Sequence, residues 1–344
     1  MILLETVLAL FLISSVFPAR PLTSNIPPTL LFSLCPLFYS RIFYSAFEVC
    51  SDERLASFSK HAFVFPHDLR TSVDVEGLAE ALGFIRTFHS NNITDILLLI
   101  PPRKITRDLE SVLFKYRAAV VRRRIPEVSP SVFLWSERRR NCCSWREYLK
   151  LTAWTLVQYD SVIVIDIDQR VLQTLDNIFA CASRGYFLYT SGPLSPLNAG
   201  FFALRPLYPI YDDMVTQLAQ VTFRPSDGFE GTGFGKPGWF RDNPPKNRTL
   251  THAPYGAEGP QGFLYYYFVL KRSHLERYAY RPAELDRCIW NYQKEGLARA
   301  DKHPCSGYAQ PPSLVHKQDS YARSLVQKKR AQVKLFLEAS NLKD

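Results

Sequence analysis

Apolar positions follow two rhythms along the chain: short unbroken runs, and stretches in which they return every third or fourth residue. Ala62-Phe63-Val64-Phe65 predicts a buried strand, after which Val75, Leu78, Leu82 and Ile85 share one helix face. Ile96 to Ile100, closed by Pro101-Pro102, predicts a parallel strand covered on both faces. Thr106 is placed to cap a second helix with Leu109, Val112, Leu113 and Tyr116 on one stripe. Ala118 to Val121 is the next strand. Ser144 and Glu147 match a capping box that opens a third helix carrying Trp145, Tyr148, Leu149, Thr152 and Leu156. Val162 to Ile165 is another buried strand and runs straight into Asp166-Ile167-Asp168. Further strands are expected at Gly185 to Tyr189 and Gly200 to Leu204. A helix on Tyr208, Tyr211, Val215 and Leu218 follows, and helical spacing resumes at Phe263, Tyr266, Tyr267 and Leu270.

This strand–helix alternation predicts an α/β domain with a mostly parallel central sheet flanked by helices, spanning about residues 58–318. Residues 222–260 are rich in Gly, Pro and Asn without a sustained period, as in a functional loop or lid. Tyr321 to Leu337 suggests a basic amphipathic helix within a tail at 319–344, read as a solvated element. At the other end, Ile2 to Phe17 is apolar apart from Glu5, Thr6, Ser14 and Ser15. It reads as a signal peptide or short signal-anchor over 1–20, with a stem at 21–57. Leu30 to Phe47, broken by Pro36 and Arg41, is a poor membrane span. The sequons Asn92-Ile93-Thr94 and Asn247-Arg248-Thr249 fit a secretory-pathway lumen, Golgi or endoplasmic reticulum.

The 344 residues are 47% hydrophobic, enough to bury a sizeable core, and 42 Lys+Arg against 32 Asp+Glu leave a net charge of +10. That excess favours polyanionic partners such as a phosphorylated small molecule. Arg122-Arg123-Arg124 and Arg138-Arg139-Arg140 carry no interleaved aromatics or nucleic-acid motif. They read as solvated surface, and nucleic acid is set aside as a partner. The seven cysteines form no Cys-x-x-Cys, so a zinc ribbon is not expected. Two or three disulfides or buried free thiols both fit that spacing. The run Tyr265-Tyr266-Tyr267 is read as core rather than as a stacking surface for an acceptor sugar, and the lone histidines His252 and His303 as hydrogen-bonded structural residues, only motif position setting His316 apart.

Asp166 and Asp168 are the sharpest chemical feature. At a strand end, side chains two residues apart point the same way, and paired hard oxygen ligands suit Mn²⁺ or Mg²⁺ bridging the phosphates of a nucleotide. The bland alternative is two solvated aspartates in a loop. A haloacid-dehalogenase-like phosphatase also begins on a buried strand and Asp-x-Asp, but needs Thr or Val where this chain has Arg170.

The segments Tyr148 to Leu156, Tyr159 to Asp168, and Leu175-Asp176-Asn177-Ile178-Phe179 resemble glycosyltransferase family 8, the glycogenin-like and galactinol-synthase-like enzymes. Leu197-Asn198-Ala199-Gly200-Phe201-Phe202 looks like the family's Asn-Ser/Ala-Gly strand, Gly259-Pro260-Gln261-Gly262 like its Gly-Asp-Gln-Gly helix start, and Val315-His316 like its late histidine. The resemblance runs in order from about 60 to 318. It implies a GT-A fold that moves a sugar from a UDP-sugar donor, with retention of configuration, to a glycan, lipid head group, inositol or protein acceptor. By that analogy Asp166 touches ribose and metal, and Asp168 and His316 complete a Mn²⁺ (or Mg²⁺) site. Lys150 approaches the diphosphate, Asn198 and Gly200 line the sugar, Lys317, directly after His316, joins the nucleotide-sugar-binding residues, and Gln261 lies near the anomeric carbon. Pro260 replaces the family's Asp, and Glu258, one residue out of register, is the candidate substitute. After His316 the family's Gly and Lys-Pro-Trp are missing. These departures leave open a scaffold that binds nucleotide or glycan without turnover.

Overall fold

Strand β1 (His61–Pro66) is buried along its whole length, and its alternation splits the core. Ala62 and Val64 face one apolar cluster while Phe63 and Phe65 face the other. β2 (Thr94–Ile100) and β4 (Ser161–Ile165) divide in the same way, so the sheet is covered on both faces, which is why these strands read as unbroken apolar runs. The computed structural model describes residues 60–68, 71–89, 94–137, 144–192, 195–233, 256–293 and 312–316, with six positions between 326 and 334. These described residues lie in one compact unit. Among them, no helix is long and apolar enough to cross a membrane.

The remaining strands of the large sheet are β3 (Ala119–Arg122), β6 (Tyr186–Thr190), β7 (Phe201–Leu204) and β10 (Arg281–Leu285). Seven strands run in the order β10-β6-β7-β4-β1-β2-β3. All neighbouring pairs are parallel except those made by β7, which is antiparallel to both β4 and β6. The expected mixed α/β architecture with a largely parallel sheet is therefore present. The reversed strand matters for the site: the residues entering β7 arrive at the edge where β4 ends.

Helices α1 (Ser72–Phe88) and α2 (Arg107–Lys115) are capped by the Thr71 and Thr106 hydroxyls, which accept from the Asp74 and Leu109 amides. α3 (Pro130–Glu137) and α4 (Asp176–Ser183) carry no capping or periodic signal strong enough to read in advance, nor does β10. α5 (Tyr208–Gln220) buries Ile210, Met214 and Leu218. Trp154, fully buried, stacks on Phe202 and Phe268 at centroid distances of 5.7 and 5.4 Å and anchors the cluster on that face.

Four expectations need correction. The segment opened by Ser144 is a 3₁₀ helix, Trp145–Thr155, without a side-chain cap. The Glu147 carboxylate that would close the capping box is held by Lys150 instead. The helix near Phe263 begins at α6 (Pro260–Tyr265) and widens into a π turn, Tyr266–Leu270, closed by Lys271 N donating to the Tyr266 carbonyl at 2.9 Å. Gly262 permits that start, since a Cβ there would collide with the Ala257 carbonyl. The described part of 222–260 contains a small hairpin, β8 (Phe223–Arg224) with β9 (Gly228–Phe229); residues 234–255 lie outside the described set. The tail is not wholly solvated: Val326 and Val333 are buried beside Phe84 of α1, so its apolar stripe has a partner.

The tyrosine run is core, as read, with Tyr267 Oη donating to Asp213 at 2.6 Å. His274 packs edge-on against Tyr267 at 4.4 Å, a structural role. Cys181 and Cys288 are each disulfide-bonded, which resolves the free-thiol alternative for those two. The other five cysteines, both sequon asparagines, His252, His303, Arg138 to Arg140 and the N-terminal segment lie outside the described residues.

His89, at the end of α1, gives the fold an acid-sensitive point. Its Nε2 accepts from the Leu175 amide at 3.1 Å and its ring packs edge-on against Phe63. Burial pushes its pKa down to about 4. The Asp176 carboxylate 3.7 Å away is more than half exposed and too solvated to offset this. The neutral ring is thus preferred in the folded chain, whereas the unfolded chain takes up a proton near pH 6.5. Stability from His89 is complete above about pH 6.5 and falls toward pH 4, by about 3 kcal/mol in total. Denaturant titrations across that window should show this loss. His89→Gln, whose carbonyl can still accept from Leu175, should flatten it.

Candidate functional site

β4 ends at Ile165, paired in register with Phe201 of β7. The chain then turns: Asp166 N donates to the Gly200 carbonyl at 3.0 Å, and Gln169 N donates to the Asp166 carbonyl at 3.1 Å. Asp166 and Asp168 therefore belong to a turn beyond the strand, and the expected alternation along a strand does not account for their shared orientation. The turn does, together with the strand that leaves it. β5 (Gln169–Val171) pairs antiparallel with β12 (Leu314–His316), and β12 pairs parallel with β11 (Tyr292–Gln293). Gln169 stands opposite His316 in that register, 147 residues away in sequence.

This small sheet delivers the histidine. His316 Nε2 lies 3.2 Å from Asp168 Oδ2, and one ligand atom each from Asp166, Asp168 and His316 lie within 4.8 Å of one another. His316 is buried and Asp168 half-exposed, so the cluster opens to solvent on one side. Two carboxylate oxygens and one imidazole nitrogen could hold a divalent cation, and the spacing fits a single ion.

Lys150 enters from the 3₁₀ helix. Its ammonium is buried and sits 2.9 Å from Asp166 Oδ1 and 3.1 Å from Glu147 Oε2. An eleven-residue 3₁₀ run is unusual and places Glu147 and Lys150 one turn apart on the same side. Burial alone would lower the lysine pKa; the Asp166 and Glu147 carboxylates more than offset it and hold the group above its ordinary value. The site thus keeps a permanent, desolvated cation beside its acidic pair.

Asn198 and Gly200 stand on the approach to β7. Asn198 Oδ1 accepts from the Gly200 amide at 3.0 Å. A Cβ on Gly200 would stand 2.9 Å from Asn198 Oδ1 and 3.0 Å from both Asp166 Oδ2 and Gln169 Nε2, so only glycine lets these side chains converge.

The structure therefore gathers Asp166, Asp168, His316, Lys150, Asn198 and Gly200. Gln261 is buried in the first turn of α6 and Glu258 just before it. Glu258 is tied to the 3₁₀ helix because its carbonyl accepts from Tyr148 Oη at 3.1 Å. Lys317 lies outside the described residues. Sequence reading missed Gln169, Asn291 and Gln293, all buried beside His316 or Asn198. Adjacency to Asp168 was the one available signal, for Gln169; the two others sit in a stretch without pattern. Glu147 was singled out, but for a helix cap.

No protein-family model matches the chain. It is 29% identical over 134 residues, 36% of this chain and 26% of the relative, to "Putative glucuronosyltransferase PGSIP7" of Arabidopsis thaliana. It is 34% identical over 79 residues, 23% of this chain and 15% of the relative, to "Putative glucuronosyltransferase PGSIP8" of the same plant. The chain thus spans about a quarter or less of the length of these two relatives. Among solved structures it is similar to the apo-form glycosyltransferase GlyE of Streptococcus pneumoniae TIGR4, at a TM-score of 0.46 and 13% identity, over 83% of this chain and 64% of that one.

Proposed function

We propose that this chain is a metal-dependent glycosyltransferase of the GT-A, family 8 kind, moving a sugar from a UDP-sugar to an acceptor with retention of configuration. The observation that carries the reading is the convergence of Asp166, Asp168 and His316 with Lys150 at the sheet edge beyond β4. In α/β sheets that edge, outside the carboxyl ends of the strands, is where ligands bind. The relatives' printed names make glucuronate the first donor to test, with the other hexoses and xylose beside it.

Asp166, Asp168 and His316 would hold the cation, which when bound offsets charge on the diphosphate as the glycosidic bond breaks. Lys150 supplies a second positive charge, already desolvated and held by two carboxylates, so no reorganisation is needed as charge develops. Asp166 is shared between that lysine and the cation site, locking the two together. Asn198 has its Oδ1 occupied and offers its Nδ2 hydrogens to a sugar hydroxyl. Gln261 and Glu258, at the start of α6, are assigned to the sugar side near the anomeric carbon. The two disulfide-bonded cysteines support work in an oxidising lumen of the secretory pathway, with the N-terminal segment as signal or anchor.

The test is calorimetric titration of UDP into the full chain with and without Mn²⁺, followed by hydrolysis and transfer assays with UDP-glucuronate, UDP-glucose, UDP-galactose and UDP-xylose. Manganese-dependent UDP binding with turnover of one donor supports the reading. Binding without turnover of any donor would make the chain a nucleotide-binding scaffold, and absent binding in folded protein would end the proposal.

A further inference from the structure

Behind the candidate cation site lies a run of buried carboxamides that reaches the candidate sugar site. Asn291, at the end of α7 (Arg287–Trp290), is fully buried. Its Nδ2 donates to Thr190 Oγ1 at 2.8 Å and to Asn198 Oδ1 at 3.2 Å. Its Oδ1 accepts from Gln169 Nε2 at 3.4 Å, and the same Nε2 lies 3.2 Å from His316 Nδ1. Gln293 Nε2 meets that Nδ1 at 2.6 Å.

One backbone donor orients this run. The Gly200 amide must find an oxygen, which fixes Oδ1 of Asn198. Asn291 must then present its amino group to Asn198 and its oxygen to Gln169, which in turn aims Nε2 at His316. Reversing any member would set oxygen against oxygen or hydrogen against hydrogen in a buried place, where an unmade hydrogen bond is costly. Gln169 Oε1 finds no partner among the described residues. A histidine that gives Nε2 to a cation carries its proton at Nδ1 and needs an acceptor there. Gln293 can supply one by reversing its own amide, with no effect on Asn291; Gln169 supplies one by turning that oxygen inward, which changes what Asn291 receives. The two ends are coupled through Gln169.

We propose that Gln169 and Asn291 are positioning residues that couple the His316 imidazole to Asn198, so that the site's affinity for a divalent cation depends on whether a sugar occupies the Asn198 side. This rests on the function proposed above and adds a coupling that the site residues alone do not imply. Residues behind a metal ligand set its orientation and commonly change metal affinity by about 10–100-fold when replaced.

The experiment measures Mn²⁺ affinity of the full chain, by electron paramagnetic resonance of the free ion. It is done with UDP and then with UDP-glucuronate, UDP-glucose, UDP-galactose and UDP-xylose. In the wild type the best sugar nucleotide should change Mn²⁺ affinity about fivefold or more relative to UDP. Asn291→Leu should erase that difference, and because it also frees Gln169 behind His316 it should shift Mn²⁺ affinity with UDP alone by no more than the usual outer-shell effect of about 10–100-fold. Gln169→Leu breaks the run at its other end and should erase it too, with weaker Mn²⁺ binding throughout. Thr190→Val removes only a side bond and should preserve the difference. A role in general stability would move both affinities together. Retention of the difference in Asn291→Leu and Gln169→Leu, or its absence in a wild type that binds Mn²⁺ with UDP, overturns the coupling. A wild type that takes no Mn²⁺ with UDP overturns the proposed function itself, and the coupling with it.

Discussion

Replacing Asp168 by Asn should weaken manganese-dependent UDP binding by about 100-fold or more, beyond the usual effect of outer-shell changes, because on the proposed function it removes a charged ligand outright. The fold should be indifferent. Asp168 lies in a turn, its side chain is half-exposed, and an asparagine oxygen can still accept from His316 Nε2 across the present 3.2 Å. Calorimetric titration of UDP with and without Mn²⁺, beside thermal unfolding, separates the two effects. A variant with an unchanged midpoint and no manganese dependence confirms the ligand role. Wild-type manganese dependence in the variant would move the cation elsewhere and remove the main support for a metal-dependent transferase.

Lys150→Met should be the most destabilising change at the site. The ammonium is 3% exposed and holds Asp166 and Glu147, so its loss leaves two carboxylates facing each other without a cation between them. Removing one partner of a buried pair costs about 3–5 kcal/mol; the lower end is expected because the carboxylates are 25% and 34% exposed and water can reach them. Urea unfolding of Lys150→Met, Asp166→Asn and the double variant measures the coupling directly. The double variant should recover part of the loss, since the uncharged amide that replaces the Asp166 carboxylate no longer repels Glu147. A double variant with the summed cost of the two singles would mean that Lys150 acts through packing alone. UDP affinity should fall in Lys150→Met even where Mn²⁺ binding persists, because on the proposed function the diphosphate loses its second positive partner.

Much of the sheet was legible because its strands are buried on both faces: Ala62 to Phe65, Ile96 to Ile100 and Val162 to Ile165 show the apolar runs that two covering layers demand. The short strands β5, β11 and β12 were not, since two or three residues of Gln, Arg, Tyr or His carry no period. Glu147 shows how a local rule can fail against a longer reach. Its spacing from Ser144 suits a capping box, yet a buried ammonium is the stronger partner for a carboxylate than a terminal amide that solvent can also satisfy.

Alternating strands and helices, the end of β4 and two aspartates just beyond it can be read along the chain, because burial patterns and strand ends are written within about ten residues. What those aspartates meet is set by packing in three dimensions. The reversed direction of β7 brings Asn198 and Gly200 to their edge, pairing of β5 with β12 sets His316 opposite Gln169, 147 residues away, and so beside Asp168, and the 3₁₀ helix lowers Lys150 onto Asp166. Such meetings depend on strand order and on closing long loops, whose entropic cost varies only slowly with length. No local pattern therefore marks which distant residue completes the site; the packed sheet selects it.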